Sequence, residues 1–151
     1  MTRRRGHRGE PGQASLLIVG LAFVLVLMTA VVVDASAAFL QRQGLDTVAD
    51  GAALAGADAG ARGEEAYTEG VDEERLRLWA DSARTGVADY LARSGAHERY
   101  PGLTVEVAVD PTGRRVVVRV RAPLDLPFTV PGSPNRPVIG AEGAAVVAPR
   151  R

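Results

Sequence analysis

Between Glu10 and Asp34 the chain carries no charge, and within that interval Ala14 to Val33 reads Ala-Ser-Leu-Leu-Ile-Val-Gly-Leu-Ala-Phe-Val-Leu-Val-Leu-Met-Thr-Ala-Val-Val-Val. A helix of this length, at about 1.5 Å per residue, reaches about 30 Å, the thickness of a bilayer's hydrocarbon layer. Thirteen of the residues are Leu, Ile, Val or Phe; at about −0.3 to −0.6 kcal/mol each, they favour insertion by about 5 kcal/mol. Ser15, Gly20 and Thr29 do not oppose this, because a helix satisfies its own backbone groups and hydroxyls can bond back to the preceding turn. The core helix of a soluble domain keeps a polar face, and this run has none. The run therefore predicts a single membrane span, with the lipid bilayer as its first partner.

The flank sets the direction. Arg3, Arg4, Arg5, His7 and Arg8 precede the span against one acid, Glu10, and a basic flank stays on the cytoplasmic side. The amino terminus is predicted inside and everything from Asp34 onward outside. Ala35-Ser36-Ala37 fits the small-x-small pattern of signal-peptidase cleavage after Ala37, although the apolar run exceeds the usual length of about 7 to 15 residues. Retention as an anchor is the reading adopted.

The overall formal charge of zero divides unevenly. Residues 1–12 carry four Arg and one Glu, whereas 34–151 carry 14 Arg against 17 Asp plus Glu. A mildly acidic exterior gives no reason to expect nucleic acid as a partner. There is no cysteine, so neither a disulfide nor a thiolate metal site stiffens the outer part. Lysine is also absent, and with abundant Ala, Gly and Val this reads as codon bias rather than chemistry.

Beyond the span, Leu45, Val48, Ala52 and Ala55 recur at helical intervals, with Arg42, Asp46 and Asp50 on the other side, so the helix is expected to continue to Ala61. Gly44, Gly51 and Gly56 each cost about 1 kcal/mol in a helix interior, which makes the extension weak without a partner surface. Gly51, Ala52, Ala55 and Gly56 are the candidate helix-packing residues, small enough for another helix to approach closely. Two readings stand: docking or self-association in an assembly, or packing on the chain's own domain.

The segment Val33 to Ala57, with the core Ala49-Asp50-Gly51-Ala52-Ala53-Leu54-Ala55 and preceded by Gly12-Gln13-Ala14 and the span, resembles the amino-terminal region of the TadE/TadG-like family, associated with tight-adherence (Flp) pilus assembly in bacteria. The resemblance covers about the first 60 residues. It implies a bacterial cytoplasmic-membrane location and other pilus-assembly or secretion membrane proteins as partners. Some family members are pseudopilin-like and are cut after a glycine by a prepilin peptidase, leaving a glutamate at the fifth mature position. Were Gly12 that glycine, Leu17 would stand there instead, so the chain resembles the anchored accessory branch more than a fibre subunit.

Residues 62–72 read as an acidic, glycine-bearing connector rather than a ligand cluster, since the alternating oxygens of a calcium loop are missing. Glu73 to Ser94 is a second helix, with Leu76, Trp79, Ala80, Ala83, Val87, Tyr90 and Leu91 on one stripe and Gly95 as its stop. Then the period changes to two. Leu103 to Val109 and Val116 to Arg121 alternate around Asp110-Pro111-Thr112-Gly113, a hairpin placing Val105, Val107 and Val109 on one face with Val116, Val118 and Val120. A lone hairpin is marginal in water, so the second helix should cover it. Pro123, Pro127, Pro131, Pro134 and Pro137 mark a structural loop, and Val138 to Ala148 returns as a third strand.

No catalytic set emerges. His7 lies in the leader and His97 after the second helix, so neither a hydroxyl-histidine-carboxylate arrangement nor a histidine-ligated zinc site assembles from spacing. Phosphate-cradling glycine motifs are missing from the sequence. The chain is read as non-enzymatic, without cofactor or metal. The expected architecture is α+β, divided as 1–12 leader, 13–61 span and extension, 62–72 connector, and 73–151 a small extracytoplasmic domain of one helix on two or three antiparallel strands. Its expected function is tethering and helix packing in TadE/TadG-type pilus assembly or a related secretion apparatus. The alternative is an exported cell-envelope binding module, anchored or released, using Trp79 and Tyr90 as a ligand face.

Overall fold

A computed structural model of the chain describes residues 11–65, 72–111, 114–128 and 137–147. The leader up to Glu10, connector residues 66–71, Thr112 and Gly113 of the turn, the loop prolines Pro131 and Pro134, and Ala148 lie outside the described residues. The fold is α+β: helices α1 (Pro11–Glu65), α2 (Asp72–Arg93) and α3 (Ala96–Arg99), then strands β1 (Thr104–Asp110), β2 (Arg115–Pro123) and β3 (Val138–Val146).

Helix α1 is continuous for 55 residues, about 80 Å at helical rise. Pro11 opens it at a position where the missing N–H has no intrahelical partner to lose. Thr29 and Ser36 return their hydroxyls to the Leu25 and Val32 carbonyls, each at 2.8 Å, so these two hydroxyls are satisfied within the helix. The helix passes Ala61 without a break and enters the segment expected to be connector. Its second half does not stand apart from the domain: Leu45, Val48, Ala49, Ala52, Ala53 and Ala57 are core residues. The division at 61/62 thus falls inside a helix that supplies the domain's own centre.

The sheet has strand order β1-β2-β3, antiparallel throughout. Val105, Val107 and Val109 stand opposite Val120, Val118 and Val116, and the same face continues through Ala141, Gly143 and Ala145 of β3. On the central strand Val116, Val118 and Val120 are fully buried, each such burial contributing about 1.5–3 kcal/mol. The opposite face carries charge: Arg121 reaches Glu106 at 3.1 Å and Arg119 reaches Glu142 at 2.6 Å.

It is α1, more than α2, that lies across β2 and β3, while α2 packs antiparallel on α1. The second helix meets the sheet at β1, and the larger share of the cover comes from α1; the reason is side-chain size. At Gly143 the strand comes so close to α1 that a Cβ would run into the Ala49 carbonyl group and the Asp50 amide. Only a helix with small residues admits such an approach. Between α2 and the sheet, Gly95 (φ 64) turns the chain from α2 into α3 in a conformation that suits glycine.

Candidate functional site

Three features on or beside α1 compose the site: an apolar cylinder, a seam of small residues, and a strap that joins the end of the sheet to the end of the span. The cylinder comes first along the chain. From Leu16, 76% exposed, to Val33, 40% exposed, every residue of this run is exposed except the half-buried Ala30. Among the described residues α1 is the one helix long and apolar enough to cross a membrane.

The seam follows. Gly51 receives the Tyr90 side chain, and Gly56 lies where a Cβ would stand 2.7 Å from Val87 Cγ2 and 3.0 Å from the Ala83 carbonyl oxygen. Gly60 takes the Trp79 indole at 2.7 Å by the same measure, and Gly86 of α2 faces Ala59 at 2.5 Å. Ala52 is buried and Ala55 half-buried. Gly51, Ala52, Ala55 and Gly56 thus lie on the part of α1 that packs within its own domain, with α2 seated in the glycine notches. Bulky residues on one helix fill gaps on the other, which is why the glycine cost in α1 is tolerated.

Trp79 is 1% exposed, packed against Gly60, and its Nε1 has no hydrogen-bond partner among the described residues. A ligand face on Trp79 and Tyr90 is therefore corrected to a packing role: both side chains point into the seam. His97 sits on the exposed surface of the short α3. The ion pairs of the helices, Arg62–Asp58 at 3.1 Å, Arg77–Glu73 at 2.9 Å and Arg84–Asp81 at 3.1 Å, are exposed and worth a few tenths of a kcal/mol each. Among the described residues no group of His, Asp and Glu is arranged to hold a metal ion. Open clefts among the described residues include one of about 630 Å³ between α1 and α2 beside Asp58, Arg62, Asp81 and Asp89, one of about 550 Å³ beside Leu40, Tyr100 and Leu124, and one of about 420 Å³ beside Arg42, Arg119 and Glu142.

The strap is the part that sequence reasoning missed. After β2 the chain turns down along α1: Gln41 Nε2 donates to the Pro123 carbonyl at 2.8 Å, the Asp125 amide donates to Gln41 Oε1 at 3.1 Å, and the Phe128 amide donates to Asp34 Oδ1 at 3.1 Å. Asp34, Ala37, Ala38 and Gln41, which share one side of the helix, are half-buried, whereas Ala35, Ser36, Phe39 and Leu40 are exposed. The candidate processing residue Ala37 thus lies on the strapped side; Gly12 stands in the first turn of α1. Only the position of Asp34, the first charge after the run, hinted that something would meet it there.

No curated protein and no solved structure matches this chain. Over residues 12–59, which hold both the apolar cylinder and most of the seam, the chain matches the Tad family, putative Flp pilus-assembly TadE/G-like.

Proposed function

We propose that this protein is a single-span accessory component of TadE/TadG-type pilus assembly or a related secretion apparatus, tethered in the bacterial cytoplasmic membrane with its amino terminus inside and its α+β module outside. The observation that carries the reading is the continuity of α1: one helix is bare and apolar through residues 14–33 and then becomes the centre of a folded module. The match over residues 12–59 and the apolar helix together support a pilus-associated membrane protein, in a structural or accessory role rather than a catalytic one. Orientation follows from the arginines before the span.

In this reading Gly51, Ala52, Ala55 and Gly56 serve the module's own integrity, and contact with other membrane proteins or a second copy falls to the side of α1 that carries exposed Leu40 and Leu54. The span is retained, with cleavage at neither Gly12 nor Ala37. The absence of native cysteine makes the test direct. In spheroplasts a membrane-impermeant maleimide should label Asp58→Cys and spare Gly9→Cys, and the extracted protein should have its full-length mass. Labelling in the opposite sense overturns the orientation; recovery of the protein in the soluble fraction, or a mass lacking 12 or 37 residues, overturns the anchored form.

A further inference from the structure

We propose that Phe128 is a second membrane contact: the strap holds its ring at the lipid boundary of the bilayer, so that the outer module rests on phospholipid besides being threaded through it. The inference rests on residues 14–33 being a span. Asp34 is the first charged residue past that run, so its level on α1 marks where hydrocarbon gives way to headgroups. Phe128 is tied to that level by its own amide, which donates to the Asp34 carboxylate at 3.1 Å. The bond at Gln41 fixes the descent, because Pro123 and Asp125 are held seven residues higher on the same side of the helix, about 10 Å further from the lipid.

The side chain delivered there is the wrong kind for water. Phe128 is 50% exposed at the tip of the described strap, and Phe39, 67% exposed, stands on the uncovered side of α1, about 7 Å above Asp34. Headgroups extend about 5–7 Å beyond the hydrocarbon on each side, so both rings fall within or beside that layer. Phe, like Leu and Trp, is a side chain that segments lying on a membrane bury about 5–10 Å into the headgroup and acyl boundary, where an apolar ring leaves water without the chain crossing the layer. The amide partner also makes Asp34 tolerable there, since a carboxylate near lipid needs a donor to replace lost water. A lipid surface is favoured over a protein partner because continuity with the span places the bilayer at this level whatever else is present.

Tryptophan quenching by brominated lipid tests this in the full chain. Three variants, V24W, F128W and L54W, are reconstituted into phosphatidylcholine–phosphatidylglycerol vesicles with and without bromine on the acyl chains. Trp79, packed at Gly60, about 40 Å along α1 from Asp34, supplies a constant unquenched background. The expected result is loss of the added emission in V24W and F128W, and none in L54W, whose position lies about 30 Å beyond Asp34. Quenching of V24W without quenching of F128W overturns the lipid contact while leaving the span intact; if the unquenched F128W band is also shifted to the blue, protein covers the ring instead. An unquenched V24W overturns the span and the inference with it.

Discussion

Residues 14–33 and residues 45–57 belong to one unbroken helix, and both carry apolar side chains, yet these meet opposite fates. The first stretch is built mainly of Leu, Val, Ile and Phe and is exposed; the second sets Asp46 and Asp50 on one side and buries Leu45, Val48 and a row of Ala and Gly on the other, with Leu54 left exposed. Side-chain size does the sorting. Large branched side chains fill a helix's own surface and suit a fluid solvent of acyl chains, whereas small ones leave notches into which a strand and a second helix can press. Size thus adds to what the missing or present polar face already says about which part of the helix seeks lipid and which seeks protein.

Placing V24R and L27R together in the first stretch should have the largest effect. Each arginine costs about 3 kcal/mol at mid-membrane and removes a favourable residue, so the pair outweighs the roughly 5 kcal/mol that drives insertion. The protein should leave the carbonate-resistant membrane fraction while its Trp79 emission stays that of a buried indole; loss of both would mean that the two stretches fold as one unit. Next, W79A removes the largest fully buried side chain and should lower the stability of the detergent-solubilised chain by about 3–5 kcal/mol, read by circular dichroism during denaturant unfolding.

A sharper comparison sets A49L against A22L. Ala49 is fully buried against Gly143, and Ala22 is exposed on the span. The first should cost about 1–3 kcal/mol by overpacking, followed by Trp79 fluorescence in denaturant, and the second should be neutral or slightly favour membrane retention. Equal effects at both sites would break the size argument. The smallest effect is expected from E142A, which releases Arg119 on the solvated face of the sheet: less than about 1 kcal/mol, shrinking further in high salt.

Much of this was legible in the residue pattern because it is local. The helix of residues 73–94 is observed as α2, Asp72–Arg93, and the alternating valines become β1 and β2 with the expected facing pairs, because periods of 3.6 and 2 decide which face is apolar. The third strand, Val138–Val146, was equally readable. What the pattern withheld is non-local. Nothing in the spacing of Gly51, Gly56 and Gly60 says whose side chains will fill them; Tyr90, Val87 and Trp79 become neighbours only when α2 folds back. The strap was hidden for the same reason: Gln41–Pro123 and Asp34–Phe128 are bonds across 82 and 94 residues, and a proline-marked stretch carries no period from which a docking partner could be read.

The lack of any break in α1 between Val33 and Leu45 has a mechanical consequence. A module joined to its anchor by a loop can swivel freely, but one whose spine is the anchor must turn when the anchor turns. A neighbour that grips residues 14–33 and rolls them by some angle rolls the sheet by the same angle, like a key moved by its shaft. The direction in which the module's charged and apolar faces point is thereby decided along the apolar half of the helix.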